Sequence, residues 1–587
     1  MNFNSKWFLS SEKIKDCNDY NYTLSGKDYY FYYNDICPKP VKYNQKMIFI
    51  DGWISPREKY YHLYKKFGMI ELINHLYNEY SEELIKYIKG NFILIIFSNE
   101  NFLIFNDRLS LKKFFYYINN NNSIFFISNS IKCIYKNYPL SISHTNIALN
   151  ILMHHYIDGR TMYKDLYYSK NASKFIYLNG KIKVLCYWDI DSLLNIKSID
   201  LDVDKFSIKY SKILKNIIDY LNPKKIAMTL TGGLDTRTVL AGLFKNKIKP
   251  ISFTFGDSKS QDAFAAKNVA NKFDLQYYCH EVNNPTIKGY TDSSNKISDY
   301  GNSLINLHRA HRLKAIEEQL AITPNIEMMF VGSMGGEATR GLHFDDLIVT
   351  KFYRLWMQSK AGIDELIIST LSENFINIST VNIEEIKKIL LNQKYFSNNY
   401  KKNEFFILFY LTASLHDVQD INIYNLYVKY IVPIFMDIDY LELLFSTKYN
   451  MMHKKNTSKN QLNRLDNPYL NSHIIFNLDE ELSKIPFNYQ FSAYEYVKQG
   501  KISYLIKRIY RRLTSKKLPP TYPYKKWYTK YMKKEFSQIN QNDFIQIFNM
   551  KEMNEKLNNS IHAENEGYWQ KYTNILATYK TIESHKS

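Results

Sequence analysis

The sequence predicts a strand-rich α+β domain at the amino terminus, followed by an α/β domain with a parallel sheet and a helical carboxyl-terminal lobe. Short apolar runs separated by polar turns continue to about residue 190, and beyond residue 205 helical periods alternate with strand-length runs. The 587 residues are 45% hydrophobic and 23% charged, which is enough to bury full-sized cores. We expect three regions, at 1–195, 205–480 and 481–587.

The first region contains short runs that are apolar or alternate between apolar and polar residues. These runs are Met47–Ile50, Phe92–Phe97, Phe102–Phe105, Ile124–Ile127, Phe175–Tyr177 and Val184–Trp188. Between them we expect a helix at Glu71–Lys89, and Asn119–Asn122 is predicted to form a hairpin loop. Many short strands with few helices indicate a layered, β-rich domain.

The second region alternates helices and strands. Apolar residues at helical spacing from Phe206 to Tyr220 predict its first helix. The elements that follow are strand Ile226–Leu230, a helix to Phe244, strand Ile251–Phe255, helix Ala263–Lys272, strand Leu275–His280, a helix at about Leu304–Leu320 and strand Glu327–Val331. Repeated βαβ units predict a parallel sheet. Beyond about residue 350 the patterns are mostly helical, as in Phe405–Leu415 and Leu441–Phe445.

The sequence contains no clear targeting segment and no cysteine pattern typical of disulfides or metal sites. No stretch reaches the roughly 18 apolar residues of a membrane span, and the polar start Met1–Lys6 lacks the core of a signal peptide. We therefore expect a cytoplasmic protein without a membrane span. The five cysteines, Cys17, Cys37, Cys133, Cys186 and Cys279, are scattered, so neither a disulfide framework nor a zinc site is predicted.

A formal charge of +20 is typical of proteins that bind nucleic acid. However, Lys, Asn, Ile and Tyr are abundant along the whole chain, which indicates that a general compositional bias accounts for the charge. The excess is densest in Lys498–Lys534, where Ile502, Leu505, Ile506, Ile509 and Leu513 have helical spacing. This pattern predicts a basic amphipathic helix followed by a turn at Pro519–Pro520. Two interpretations stay open: the solvated face of a docked helix, or a site for an anionic peptide, phosphate or RNA.

The segment Leu230-Thr231-Gly232-Gly233-Leu234-Asp235-Thr236-Arg237 lies where the first predicted parallel strand ends and a helix begins. Two glycines let backbone N–H groups surround an anion, two threonines add hydroxyl donors, and the helix directs its positive end at the same place. The Gly-Lys-Ser/Thr ending of a Walker A loop is absent. A carboxylate inside an anion site favours a Mg²⁺ ion that accompanies the phosphate. A glycine-rich turn without a ligand is the alternative.

This segment resembles the pyrophosphatase loop (PP-loop) of ATP-dependent synthetases, usually Ser-Gly-Gly-x-Asp-Ser, and more narrowly that of the asparagine synthetase family. Thr231 and Thr236 replace the two serines conservatively. Arg237 matches a subgroup with Thr/Ser-Gly-Gly-x-Asp-Ser/Thr-Arg rather than the housekeeping enzymes. The resemblance therefore implies ATP chemistry without implying asparagine as the product.

Three later segments extend the resemblance. Ile251–Gly256 resembles the strand whose end contacts adenine, and Asp262 lies in the helix that follows. Val331–Glu337 resembles the loop Ser-Gly-x-Gly-x-Asp-Glu, with Gly336 where the family has its metal-associated Asp. Glu337 then matches the catalytic Glu, or takes the metal role if the loop is shorter by one residue; a glycine-rich turn capped by a Glu is the third possibility. Val432–Asp437 resembles the Val-Pro-Phe-Leu-Asp segment, after which Lys454 or Lys455 stands where a lysine neutralises the acyl-adenylate.

The first region is similar to the family's class II glutamine amidotransferase domain. The segments that carry this similarity are Gly90–Phe92, Asp107–Tyr116, Ile127–Lys132 and Tyr187–Asp189. Active amidotransferases of this class use a cysteine at the first position of the mature chain as the nucleophile. This chain starts Met1-Asn2, and Ser110 and Lys113 replace a Gly and a Pro of the glutamine-side turn. The resemblance implies an Ntn-type αββα sandwich without glutaminase activity, followed by a PP-loop (adenine nucleotide α-hydrolase-like) domain; a start with cysteine would restore the activity.

The resemblance implies an AMP-forming carbon–nitrogen ligase that uses ATP and Mg²⁺. The residues implied for ATP are Leu230, Thr231, Gly232, Gly233, Leu234, Asp235, Thr236, Phe255, Val331 and Gly332. Asp235 and Glu337 are the implied metal ligands, and Glu337, Lys454 and Arg237 the implied catalytic residues. The expected partners are small-molecule or peptide carboxylates and amines, and a homodimer is possible. Three alternatives remain: a true asparagine synthetase, an RNA-modifying PP-loop enzyme and an inactive scaffold.

Overall fold

The computed structural model describes residues 5–16, 18–281, 287–341, 352, 355–356, 362–396, 400–453, 468–487, 491–514, 519, 521, 524–539, 546–559 and 566–586. These residues form two antiparallel sheets of six strands each and one parallel sheet of five strands. Over the same ranges, no helix combines the length and the apolar character that crossing a membrane requires. The chain is a mixed α/β protein in which the antiparallel sheets come first, as the sequence predicts.

The first twelve strands build the two antiparallel sheets. The first sheet has the order β10 (Tyr167–Tyr168), β8 (Phe115–Asn119), β9 (Ile124–Ser128), β1 (Trp7–Ser10), β3 (Tyr30–Tyr33) and β2 (Tyr22–Ser25). The second has the order β12 (Lys181–Cys186), β11 (Ser173–Leu178), β7 (Phe102–Asn106), β6 (Ile88–Phe97), β5 (Lys46–Pro56) and β4 (Val41–Tyr43). Each predicted strand run overlaps one of these strands, and the predicted hairpin loop joins β8 to β9.

The two antiparallel sheets pack face to face because side chains alternate along their strands. In β6, Ile93 and Ile95 join Trp7 of the first sheet in the core between the sheets. Leu94 and Ile96 point the other way, into a core with the helix α2 (Met69–Tyr80), which follows the short helix α1 (Tyr61–Tyr64). On the far side, α3 (Ile131–Asn137) lies against β9, and α4 (His144–Met153) follows it. The layer order is therefore helix, sheet, sheet, helix.

The predicted helix Glu71–Lys89 is wrong in its second half. The helix α2 ends at Tyr80, and Ser81 has a φ of 49°, outside the helical region. A 3₁₀ turn at Ser81–Lys86 follows, and β6 already begins at Ile88. The helical spacing of apolar residues continues through this 3₁₀ turn, so the sequence pattern alone did not reveal where the helix stops.

The parallel sheet predicted from the βαβ pattern is confirmed, with one additional strand. Its order is β15 (Tyr277–Glu281), β14 (Ile251–Gly256), β13 (Ile226–Thr229), β16 (Met328–Val331) and β17 (Tyr430–Pro433). Its helices are α5 (Val203–Leu221), α6 (Leu234–Lys245), α7 (Gln261–Phe273), α8 (Ile287–Gly301) and α9 (Ala310–Ile322). The strand order reverses between β13 and β16. In open parallel sheets ligands bind at that reversal, beyond the carboxyl ends of the strands.

Two predictions in this part need correction. The strand β17 falls in a part predicted to be helical, because a four-residue buried run that ends in Pro433 gives little strand signal; proline is tolerated there at the sheet edge. The helix predicted at Leu304–Leu320 begins only at Ala310, after a 3₁₀ turn at Leu307–Arg309.

The rest of the described chain is helical, as predicted. The helices are α10 (Glu337–Arg340), α11 (Ile363–Glu373), α12 (Ile383–Leu391), α13 (Tyr400–Phe406), a π-helix (Ile407–Asp417), α14 (Val418–Asn425), α15 (Ile438–Phe445), α16 (Tyr469–Leu478), α17 (Glu480–Ser483), α18 (Ala493–Thr514), α19 (Tyr524–Ser537), α20 (Met550–Asn559) and α21 (Glu566–Lys586). The last of these, α21, packs against α8 and α4, and the side-chain amide of its Asn574 donates to the Asn150 carbonyl at 3.3 Å. The carboxyl-terminal region thus contacts both preceding regions.

Buried ion pairs connect the antiparallel sheets to the parallel sheet. Arg57 lies 2.5 Å from Asp439 through Nε and 2.6 Å from Glu442 through Nη2. Lys89 Nζ lies 3.0 Å from Asp437 Oδ1 and 2.9 Å from Asp439 Oδ2. Burial alone would raise the pKa of Asp439, but Lys89 and Arg57 hold it well below its ordinary value. These pairs fix the start of α15 against β5 and β6.

We predict that Lys89→Met lowers the free energy of unfolding by about 3–5 kcal/mol, because it leaves buried carboxylates without one of their cations. Chemical denaturation of the purified chain measures the loss. Lys27→Met is the matched control, since Lys27 pairs with Glu100 across 3.6 Å where both side chains are exposed, and it should cost less than about 1 kcal/mol. Equal effects of the two substitutions would contradict the structural importance of Lys89.

A second prediction concerns pH. Because the folded-state pKa of Asp439 is depressed, its contribution to stability is complete above the unfolded value of about 3.9 and is lost as the pH falls through the folded value. The stability difference between the wild type and Asp439→Asn should therefore be large near neutrality and shrink below about pH 4. Denaturation curves for both proteins across this range test it, and a difference that is independent of pH would contradict it.

Candidate functional site

The loop between β13 and α6 forms a ring of short polar contacts. The Thr231 amide donates to Thr236 Oγ1 at 3.2 Å, the two threonine hydroxyls lie 3.2 Å apart, and the Gly233 amide donates to Thr231 Oγ1 at 3.2 Å. Gly233 is the N-cap of α6, so the positive end of the helix points into this loop. The segment Leu230–Thr236, predicted to bind an anion and called the cradle below, is thus a compact turn at the carboxyl end of the central strand.

A carboxylate already contacts this cradle. The Gly232 amide donates to Asp262 Oδ1 at 3.1 Å, and the hydroxyl of Thr521 donates to Asp262 Oδ2 at 3.0 Å. Asp262 lies in the first turn of α7, after the neighbouring strand β14. A backbone N–H that donates to a carboxylate oxygen has the position and polarity to donate to a phosphate oxygen as well.

The loop after β16 touches the same cradle because it contains glycines. A Cβ added at Gly332 would lie 2.9 Å from Thr236 Cγ2, and a Cβ at Gly335 would lie 2.7 Å from both Asp235 Cβ and the Phe435 ring. Real Cβ atoms do not approach other heavy atoms so closely. The two loops therefore meet at the reversal of strand order, and only glycine permits the contact.

Asp235 is held by a residue of the helical lobe. Asn471 Nδ2 of α16 donates to Asp235 Oδ1 at 2.7 Å and contacts the Gly335 carbonyl at 3.4 Å. Burial raises the pKa of the Tyr440 hydroxyl, and the Asp235 carboxylate raises it further. Asp235 thus lies at the junction of the first loop, the second loop and α16.

A cavity of about 200 Å³ opens beside the two loops. Five of the predicted ATP-binding residues line it: Thr231, Thr236, Phe255, Val331 and Gly332. Its other lining residues include Asp262, Arg312, Asp420, Tyr424 and Thr521. Arg312 Nη1 pairs with Asp420 Oδ1 at 2.8 Å, and its guanidinium lies 5.8 Å from the centre of the Phe255 ring. The cavity therefore combines threonine hydroxyls, two carboxylates, an aromatic ring and a guanidinium.

Glu337 begins the short helix α10 that leaves the second loop. Burial raises the pKa of Asp417, at the end of the π-helix, to about 8, and the nearby Glu337 carboxylate contributes to the rise. Asp417 is therefore mostly protonated at neutral pH. The effect of Glu337 on Asp417 shows that the two carboxyl groups lie within electrostatic range of each other.

The two predicted magnesium ligands, Asp235 and Glu337, lie in the first turns of the helices that follow the two loops. In the part of the chain that the structure describes, no three His, Cys, Asp or Glu side chains are grouped to hold a metal by themselves. Mg²⁺ bound to nucleotides needs only one or two protein carboxylates, because phosphate oxygens and water complete its shell. Asp235 and Glu337 are the carboxylates that the sequence predicts for this role, and neither is among the residues that line the cavity.

The structure places Arg237 away from the cavity. Its side chain is fully buried, Nη1 donates to the Ile485 carbonyl at 2.9 Å, and the guanidinium lies 5.0 Å from the centre of the Phe487 ring. Burial lowers the pKa of this arginine to about 9. The Arg237 side chain therefore supports the 485–487 segment, and its implied catalytic role stays a prediction. Lys454 and Lys455 lie outside the described residues.

Four cavity residues were not identified from the sequence: Arg312, Asp420, Tyr424 and Thr521. Arg312 and Asp420 come from α9 and α14, far apart in sequence, and only folding makes them a pair. Thr521 comes from the carboxyl-terminal region. Its backbone packs directly against Gly256, whose φ is 131° and whose missing Cβ leaves room for the Thr521 carbonyl. Arg309 and Arg312 are one helical turn apart, and this spacing is a local pattern that could have indicated a cationic helix face.

A scan against protein-family models and a search of curated proteins both returned no match for this chain.

We predict that Gly335→Ala separates the two loops, since its Cβ would overlap Asp235 and the Phe435 ring. The substitution should cost about 1–3 kcal/mol of stability and weaken nucleotide binding, measured by thermal unfolding and by calorimetry with Mg-ATP. Gly362→Ala is the control, because nothing lies within 4 Å of the added Cβ. Normal nucleotide affinity in Gly335→Ala would show that the loop contact is not needed for binding.

Proposed function

We propose that this protein is an ATP-dependent, AMP-forming ligase that joins a carboxylate to an amine through an acyl-adenylate. One observation carries the proposal: two glycine-containing loops meet at the strand-order reversal of a parallel sheet, beside a cavity lined by threonine hydroxyls. This is where a nucleotide binds in such sheets. Asp235 and Glu337 lie in the first turns of the helices that follow these two loops. The resemblance of the two loops to those of the asparagine synthetase family supports the same assignment.

Nucleotide binding requires one exchange of partners in the cradle. The Gly232 N–H, which donates to Asp262 in the structure, would turn to a phosphate oxygen instead. Asp262 would keep the hydroxyl of Thr521 as a donor. Phosphate and the Asp262 carboxylate repel each other, so the positive end of α6 and a cation must offset that repulsion.

In the first step, a carboxylate oxygen of the substrate attacks the α-phosphorus of ATP, a P–O bond breaks and pyrophosphate leaves. The Gly232 and Gly233 amides and the Thr231 and Thr236 hydroxyls would donate to the departing phosphates. Asp235 and Glu337 would hold Mg²⁺, which supplies positive charge against the phosphate oxygens. Phe255 and Arg312 would contact the nucleoside, since both lie on the cavity wall. The chain contributes positioning and electrostatics.

In the second step, the amine nitrogen attacks the acyl carbon, AMP leaves and a proton must be removed from the nitrogen. Glu337 is the candidate acceptor where it is not occupied as a metal ligand. Asp417, which is mostly protonated at neutral pH, adds little negative charge beside Glu337.

The first domain is proposed to lack glutaminase chemistry. Burial raises the pKa of the Cys37 thiol to about 12 and also raises that of Cys133, so neither forms the thiolate that a nucleophile needs. Cys17 lies outside the described residues. The nitrogen would then come from an amine substrate, and a natural-product, peptide-modification or surface-polysaccharide pathway is the expected setting.

An inactive scaffold is the second candidate function. The specific observation in its favour is the Asp262 carboxylate, which already satisfies the Gly232 amide of the cradle. A scaffold would not bind Mg-ATP. Calorimetry with Mg-ATP and with the nonhydrolysable α,β-methylene analogue therefore distinguishes the two candidates before any carboxylate substrate is known.

We predict ATP–pyrophosphate exchange in the presence of the cognate carboxylate, found by screening pools of amino acids, peptides and other carboxylic acids. Asp235→Asn should lower the exchange rate by about 100-fold or more, because a charge is lost where phosphates depart. Asp274→Asn is the matched control, since Asp274 is an exposed C-cap of α7 in a left-handed conformation that asparagine also adopts. Equal exchange in both variants would exclude the role of Asp235, and release of ADP in place of AMP would exclude adenylation.

A further inference from the structure

The second half of α18 presents a row of apolar side chains to solvent. Ile502, Ile506, Ile509 and Leu513 are 74%, 62%, 52% and 81% exposed, and Tyr510 beside them is 66% exposed. Their spacing of four, three and four residues places the four aliphatic side chains on one face of the helix. Among the described residues, other large exposed apolar side chains are scattered along the chain. A contiguous apolar face of this kind marks an interaction surface.

This apolar face is held at a distance from the core. Gly500, with φ 76° and ψ 173°, interrupts α18 and separates the face from Ala493 and Tyr496, which are buried against the rest of the lobe. Beyond this break, Lys507 Nζ lies 2.9 Å from Glu495 Oε1 and 2.7 Å from Gln499 Oε1. The contacts of Lys507 tie the second half of α18 to the first half and leave the apolar side chains pointing outward.

The charged residues that flank this face in sequence are all basic. From Lys498 to Lys534 there is no Asp or Glu, and the cations nearest to the apolar face in sequence are Lys501, Lys507, Arg508, Arg511, Arg512, Lys516 and Lys517. A helix with an aliphatic face and many cations is typical of helices that lie in the plane of an anionic membrane surface. Each cation close to such a surface contributes to the attraction.

We propose that residues 501–514 dock on an anionic lipid surface, with Ile502, Ile506, Ile509 and Leu513 entering the headgroup region. Charge complementarity selects an anionic partner, and the exposed aliphatic row selects a lipid over a nucleic acid, whose binding needs cations but no apolar face. An acidic polypeptide is the alternative partner. The proposal is independent of the ligase chemistry, because α18 contributes no residue to the cavity described above.

Sedimentation of the full chain with vesicles tests this proposal. The protein should pellet with vesicles of phosphatidylcholine mixed with phosphatidylglycerol and stay in solution with phosphatidylcholine alone. The double variant Ile506→Asp/Ile509→Asp should lower partitioning by at least about 100-fold, because two aliphatic side chains no longer enter the lipid. Arg511→Gln/Arg512→Gln should lower it by about 30-fold, and high salt should lower it as well.

The matched control is Ile208→Asp, since Ile208 is 61% exposed on α5 and lies outside the basic segment. It should bind vesicles like the wild type, and circular dichroism should show all variants folded. Three results would overturn the proposal: a wild-type protein that ignores phosphatidylglycerol vesicles at low salt, an Ile506→Asp/Ile509→Asp variant that still pellets, or binding to polyglutamate without binding to vesicles. The last result would identify an acidic polypeptide as the partner.

Discussion

The candidate site depends on a backbone contact between two loops. The strands β13 and β16 are parallel neighbours, so the chains that leave them emerge side by side at one edge of the sheet. The loops touch only because Gly332 and Gly335 carry no side chain. That contact brings Asp235 beside the loop that leads into Glu337, and it leaves the cavity next to Thr236. Sheet topology and glycine thus bring the two loops together.

The first domain supports this arrangement mechanically. Arg57 and Lys89 fix the acids that begin α15, and α15 directly follows β17. The strand β17 pairs with β16, whose end carries the second glycine loop. A buried ion network is costly to desolvate and is specific in geometry, so it defines one relative position of the two sheets. The antiparallel domain therefore has a structural role in the site whether or not it performs chemistry of its own.

Local patterns in the sequence predicted the parts of this structure that are locally encoded. The βαβ alternation gave four of the five parallel strands, and the Thr-Gly-Gly-x-Asp-Thr segment located the first loop, because both depend on residues adjacent in the chain. Three features were beyond such patterns. The strand β17 is short and ends in a proline, so it gives little strand signal. Arg312 and Asp420 are far apart in sequence and meet only in the folded chain. The burial of Arg237 was not predicted, because a linear motif does not specify which side of a helix is covered.

Asp262 links the carboxyl-terminal region to the cradle. A buried backbone N–H without a partner is costly, so the Gly232 amide needs an acceptor when no phosphate is present, and Asp262 provides one. Asp262 in turn accepts from Thr521, which belongs to the region that follows α18. In the proposed nucleotide complex, a phosphate that takes over the Gly232 amide removes that donor from Asp262, while the contact with Thr521 remains. If the proposed function holds, phosphate binding at Gly232 and the position of the carboxyl-terminal region are therefore coupled through the Asp262 carboxylate, and by reciprocity a change in the position of this region changes nucleotide affinity.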